Sequence, residues 1–162
     1  GSSGHMASAL LEKAGQFKGV HIPYKGGSTA VTDLLGGRLD FMAINPLEVA
    51  GHVSSGSLRA LAVLNKDGSR LLPQVPTARS LGVDVQATVW WGLVAPKGTP
   101  EAVVQALNAA LNKALTTPAV TQTLADMGAT PLAGTPAQFG SFIQAETREL
   151  GDVIRAADIR AD

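Results

Sequence analysis

The residues best placed to do chemistry are Lys25, Gly26, Gly27, Ser28 and Thr29, in the run V-H-I-P-Y-K-G-G-S-T-A-V-T-D-L-L at 20–35. An apolar-rich extended stretch ends at Tyr24-Lys25, two glycines follow, and a helical pattern begins. The first N–H groups of a helix have no partner inside it, and the aligned peptide dipoles leave that end partly positive. Gly26 and Gly27 lack a Cβ, so a ligand can approach the main chain closely. The arrangement suits a small anion, above all a carboxylate. An ordinary strand-to-helix turn that binds nothing has the same local pattern.

Other chemistry finds little support. The histidines are His5, His21 and His52, none with a second His, Asp or Glu at ligand spacing, so they read as packed or surface residues and no metal is expected. No H-x-x-x-H, G-x-S-x-G or G-x-x-x-x-G-K-[ST] occurs. Serines are plentiful but none is paired with a histidine by pattern, so no catalytic residue, no enzyme and no cofactor is expected. Asp40, in a run of apolar residues, reads as a hydrogen-bonded carboxylate at a strand end. Trp90 and Trp91 alternate faces if the run around them is extended, one toward a core and the other outward or to a cleft.

Composition narrows the classes. Of 162 residues, 45% are hydrophobic and 16% charged, enough for a core and unlike a disordered chain. The 13 basic and 13 acidic residues cancel; no basic stripe and few aromatics argue against nucleic acid. With no cysteine, disulfides and thiolate chemistry are excluded.

The elements that position the glycine turn alternate. Extended runs are expected at 20–24, 39–44, 58–64 and 86–95. Helices are expected at 9–14, 30–35, about 46–53 and 78–81, with Asn45 as N-cap, Pro46 at the first position and Glu48 completing a capping box. Such alternation predicts a parallel sheet. Beyond Pro96 the pattern is helical. Thr99-Pro100, Thr117-Pro118 and Thr135-Pro136 read as three capped starts. Val103, Val104, Leu107, Leu111 and Leu115 form one apolar stripe; Phe139, Phe142, Ile143, Leu150, Val153 and Ile154 form another. Both are expected to be buried. G-S-S-G-H-M resembles an expression-tag remnant, giving expected boundaries of 1–8 for tag and cloning residues, 9–84 for an α/β ligand-binding lobe and 85–162 for a crossover strand and carboxy-terminal helices.

Several motifs in order carry a family resemblance: P-Y-K-G-G-S-T-A-V-T-D-L-L-G-G-R-L-D-F-M, then L-R-A-L-A-V, L-L-P-Q-V-P-T, W-W-G-L-V-A-P-K-G-T-P and A-Q-F-G-S-F-I-Q-A-E. They resemble the second lobe of the Bug/TctC receptors, the extracytoplasmic solute-binding proteins of tripartite tricarboxylate transporters. The resemblance implies an α/β, periplasmic-binding-protein-like lobe with a mostly parallel sheet, followed by carboxy-terminal helices. It implies a periplasmic receptor that binds small carboxylates without catalysis and works with the membrane components of a transporter. The ligand-binding residues it implies are Tyr24, Lys25, Gly26, Gly27, Ser28 and Thr29, with Ala43, Ile44 and Asn45 from the next loop. The family usually carries an aromatic residue and often an Asp where Ala43 and Ile44 stand, so the ligand is expected to be more apolar than a simple dicarboxylate, or absent. Family members also have an amino-terminal lobe, so this chain is expected to be truncated and to cover its open surfaces as a homodimer. A receptor-like module that lost its ligand site and acts through dimerisation or a protein partner is the alternative.

Overall fold

The structure, a computed structural model, describes residues 1–160, about half of the chain being helical. The chain divides into two compact units, one formed by Gly1–Val89 with the chain end from Val153, the other by Trp90–Asp152.

In the first unit, α1 spans Ser3–Gly15, starting well before the expected 9–14, because the Ser2 hydroxyl accepts from the His5 N–H at 3.2 Å and caps it. α2 spans Gly27–Leu35 and buries Ala30 and Val31. It ends at Gly36-Gly37, where Gly37 takes φ +70°, a conformation glycine adopts without strain. α3 spans Pro46–Ser54; the Asn45 Oδ1 accepts from the Leu47 N–H at 3.0 Å, the cap expected from sequence. Arg79–Leu81 is a single 3₁₀ turn.

The expected sheet is not formed among the described residues. Its trace is one parallel bridge, Val63 with Thr77, made by Val63 N–H to Pro76 O and Ala78 N–H to Val63 O, both 2.9 Å. Ala87 N–H adds a bond to Leu64 O at 3.0 Å. The runs at 20–24 and 39–44 carry no ladder. Extended chain becomes a strand only where a neighbour meets its N–H and C=O groups, and Pro23 has no N–H to give. Beside the bridge lies the core: buried Val63, Leu72 and Val75, with Ala50, Val53, Ala60 and Leu71 packed on them. Each large apolar side chain so covered contributes about 1.5–3 kcal/mol.

The second unit carries α4 (Glu101–Leu115), α5 (Pro118–Asp126) and most of α6 (Pro136–Ala156). Of the three Thr-Pro starts, one caps as expected: Thr135 Oγ1 accepts from Gln138 N–H at 3.2 Å while Gln138 Oε1 accepts from Thr135 N–H at 2.8 Å. The hydroxyls of Thr99 and Thr117 turn back to the carbonyls of Pro96 and Ala114. The α4 stripe is not buried: Val103, Leu107 and Leu111 are exposed and no α4 residue is buried. A stripe is covered only where another element lies over it, and α5 is the element packed on α4. In α6, only Val153 is buried.

Trp90 packs edge-on to Phe139 and Phe142, at 5.7 and 5.1 Å between ring centroids. Its Nε1–H donates to Glu146 Oε2 at 2.9 Å. Trp91 is 73% exposed, so the two tryptophans do take opposite faces. Phe139 lies over Gly92, where a Cβ would collide with its ring.

Candidate functional site at the start of α2

Gly26 caps α2 with extended backbone and no side-chain bond. Among the described residues, the N–H groups of Gly27, Ser28 and Thr29 have no hydrogen-bond acceptor. Three unpaired amides therefore converge at the positive end of a nine-residue helix. The surrounding side chains are less committed to a ligand than the sequence suggests. Thr29 Oγ1 donates to Gly26 O at 2.9 Å, closing the turn on itself. The Ser28 carbonyl accepts from Thr32 Oγ1 at 3.1 Å; the Ser28 side chain and Lys25 are exposed.

Tyr24 is tied to the helix it precedes. Its hydroxyl donates to Asp33 Oδ2 at 2.8 Å, and Arg38 Nη1 donates to Asp33 Oδ1 at 2.6 Å. The Arg38 hydrogen bond, and next the Tyr24 one, holds the Asp33 carboxyl below its ordinary value. The bond to Asp33, with some desolvation, raises the Tyr24 phenol. Tyr24 thus acts on the turn as a strut. Sequence reasoning missed Asp33 and Arg38; their spacing from Tyr24 has no motif of its own.

The second predicted loop meets the first at one point. Ile44 Cδ1 stands 3.3 Å from where a Gly27 Cβ would be. The Glu48 carboxylate lies against the same atom position, its Cδ 3.1 Å away. Asn45 spends its oxygen on the α3 cap. The Ala43 carbonyl lies against Gly4 of α1. Asp40 is exposed and, among the described residues, without the hydrogen bond expected for it. His21 stacks on His5 at 3.6 Å between centroids. Among the described residues no cluster of acidic groups and histidines suits a metal, and no helix is long and apolar enough to cross a membrane. A separate shallow groove of about 390 Å³ is lined by Val53, Leu58, Arg59, Gln74, Val75 and Pro76, away from the predicted residues.

The profile of the tripartite tricarboxylate transporter family receptor, TctC, matches residues 1–159. The chain belongs to this family. Among TctC relatives, the protein BugT of Bordetella pertussis is 40% identical over 156 residues, 96% of this chain and 48% of BugT. An R. palustris protein solved with adipate superposes with a TM-score of 0.86 at 29% identity, over 98% of this chain and 54% of that one. MatC from Rhodopseudomonas palustris with bound malate gives 0.78 at 30% identity, over 94% and 53%. The chain therefore spans about half the length of these relatives. The likeness to solved periplasmic binding proteins also supports the broad fold class, even though the sheet itself is reduced to one bridge.

Proposed function

We propose that this TctC chain is a solute-binding receptor lobe whose α2 amide corner holds one carboxylate of a small organic acid, in the periplasm, for the membrane components of a tripartite transporter. It binds and releases without catalysis. The observation that carries this reading is the set of unpaired N–H groups at Gly27, Ser28 and Thr29. Family membership supports it, as do the relatives solved with adipate and malate. In this reading the backbone of Gly26–Thr29 supplies the donors, Lys25 adds positive charge at the rim, and Ile44 meets the ligand's apolar body. Tyr24 and Asn45 hold the two loops; Ala43 contributes main chain only. The extended runs become strands of a parallel sheet where partners are supplied, as Val63 and Thr77 already do.

Calorimetric titration with aliphatic and aromatic carboxylates tests this. Saturable binding is expected, weakened when Gly27 is replaced by a larger residue. Absence of binding by every acid in the series would contradict it.

The second reading is a module that acts by self-association. It is favoured by exposed apolar side chains such as Val20 at 88% and Val94 at 74%, which a second copy would cover. Sedimentation at micromolar concentration separates the two readings: a stable dimer without ligand binding favours the second.

A further inference from the structure

Just past the Val63 bridge the chain turns through Asn65-Lys66-Asp67-Gly68. The Asn65 Oδ1 accepts from Asp67 N–H at 2.8 Å and sets the turn. The residue after Asp67 takes φ +79°, which Gly68 adopts without strain. Asp67 is exposed, and among the described residues its carboxylate has no hydrogen bond and no ion pair. The turn therefore sets a free carboxyl beside the one residue type whose main-chain nitrogen no Cβ shields.

The pairing is singular in this chain. Asp67-Gly68 is its one Asp-Gly pair, and no Asn-Gly occurs. Every other Asp before position 160 precedes Leu, Phe, Val, Met or Ile. Asn45 precedes Pro46, which has no N–H. Asn108 and Asn112 lie within α4, where the following N–H groups belong to the helix. Asn65 commits its side-chain oxygen to the turn itself.

We infer that Asp67-Gly68 is a site of spontaneous covalent modification, by cyclisation to a succinimide and opening to isoaspartate. The Gly68 nitrogen attacks Cγ of the protonated Asp67 carboxyl. The N–Cγ bond forms, the bond from Cγ to hydroxyl breaks, and the hydroxyl leaves with the amide proton as water. Water then adds to one of the two carbonyls of the five-membered ring. Opening at Cγ restores aspartate. Opening at the Asp67 main-chain carbonyl leaves the chain running through Cβ and Cγ. Water is the one co-reactant, and nothing is oxidised or reduced. The product keeps its negative charge but lengthens the main chain by one carbon, in the segment that leads from Val63 to buried Leu72 and Val75.

The test ages the purified chain for weeks in mildly acidic buffer made with heavy-oxygen water. Peptides are then mapped by mass spectrometry. Intact chains are assayed with an isoaspartate methyltransferase and radiolabelled S-adenosylmethionine. The peptide holding residue 67 is expected to gain heavy oxygen and to elute in two forms of equal mass. Methylation is expected to rise toward one group per chain. Peptides holding the other aspartates are expected to stay unlabelled. Asp67→Glu keeps the charge and would need a six-membered ring, which closes more slowly, so it is expected to lose both signals. Its side chain is exposed and unpartnered, so the variant is expected to fold, and matched circular dichroism checks this. An unlabelled residue-67 peptide in the aged wild type overturns the proposal. So does label shared equally among the aspartates, or methylation undiminished in Asp67→Glu.

Discussion

The Tyr24 hydroxyl and the Asp33 carboxylate, nine positions apart in sequence and 2.8 Å apart in space, close a loop that contains the whole glycine turn. Arg38 holds the far oxygen of the same carboxylate. One acidic side chain thus ties the residue before the turn, the body of α2 and the residues after it.

That pair makes the turn sensitive to pH in a stated direction. The folded Asp33 carboxyl has a lowered pKa, so it binds protons less readily folded than unfolded. Its contribution is fully present above the ordinary value of 3.8 and is lost as pH falls below it. Tyr24 is raised, so its contribution is present below 10.0 and is lost as pH rises through the folded value. Asp33→Asn should flatten the acid limb of a plot of unfolding midpoint against pH. At neutral pH it should lower the midpoint by no more than about 3 °C, since Arg38, the charged partner, is exposed. An acid limb identical to the wild type's would contradict the assignment.

Gly27→Ala should separate stability from binding. Gly27 is the first residue of α2, and its φ is not in the left-handed region. The methyl group would meet the end of the flexible Glu48 side chain rather than main chain. Removing a glycine should stabilise by up to about 0.5–1 kcal/mol, read from urea unfolding. Carboxylate affinity should fall about tenfold or more, because the methyl displaces the Glu48 carboxylate and the two together crowd the amides. Unchanged affinity would place the ligand elsewhere.

In the second unit, Asn112 works as a substitute strand. Its Nδ2 donates to Gly134 O at 2.9 Å and its Oδ1 accepts from Gly134 N–H at 3.1 Å, while Asn108 Nδ2 also donates to that carbonyl at 2.9 Å. Asn112→Ala removes two of these bonds and should destabilise by about 1–2 kcal/mol. Amide exchange should accelerate at 131–135. Replacement by Asp, which accepts but cannot donate, should fall between.

Glu146 should matter through Trp90. Removing the acceptor at 2.9 Å leaves a half-buried indole N–H unpaired. Glu146→Ala should cost about 1 kcal/mol and change the emission of Trp90. Trp91, which is exposed, should emit as before. The Trp90→Phe variant should show no further loss when Glu146 is removed; an additive loss would refute the coupling.

What the sequence made legible was local. The glycine turn, the Asn45-Pro46 cap and the opposed tryptophans all follow from neighbours in the chain, and the structure has them. The family followed from several motifs standing in order. What it hid depends on partners distant in sequence. A helical stripe such as Val103–Leu111 says which face is apolar, not what covers it, and here it is exposed. The extended runs announce strands, but pairing needs a neighbour, and one bridge at Val63 is formed. Thr99 and Thr117 look like Thr135, yet their hydroxyls found nearer carbonyls. Glu48 has the spacing of a capping box, and only the placement of α3 beside α2 turns its carboxylate to Gly27.

The central claim is that the α2 amides receive a carboxylate. It is tested most directly by following the backbone ¹H–¹⁵N resonances of the labelled chain during titration with adipate and malate. The account predicts saturable shifts concentrated at Gly27, Ser28 and Thr29 for at least one of these acids, fitting one dissociation constant. Shifts confined to the groove around Arg59 and Gln74, or no saturable shift with any acid, would contradict it.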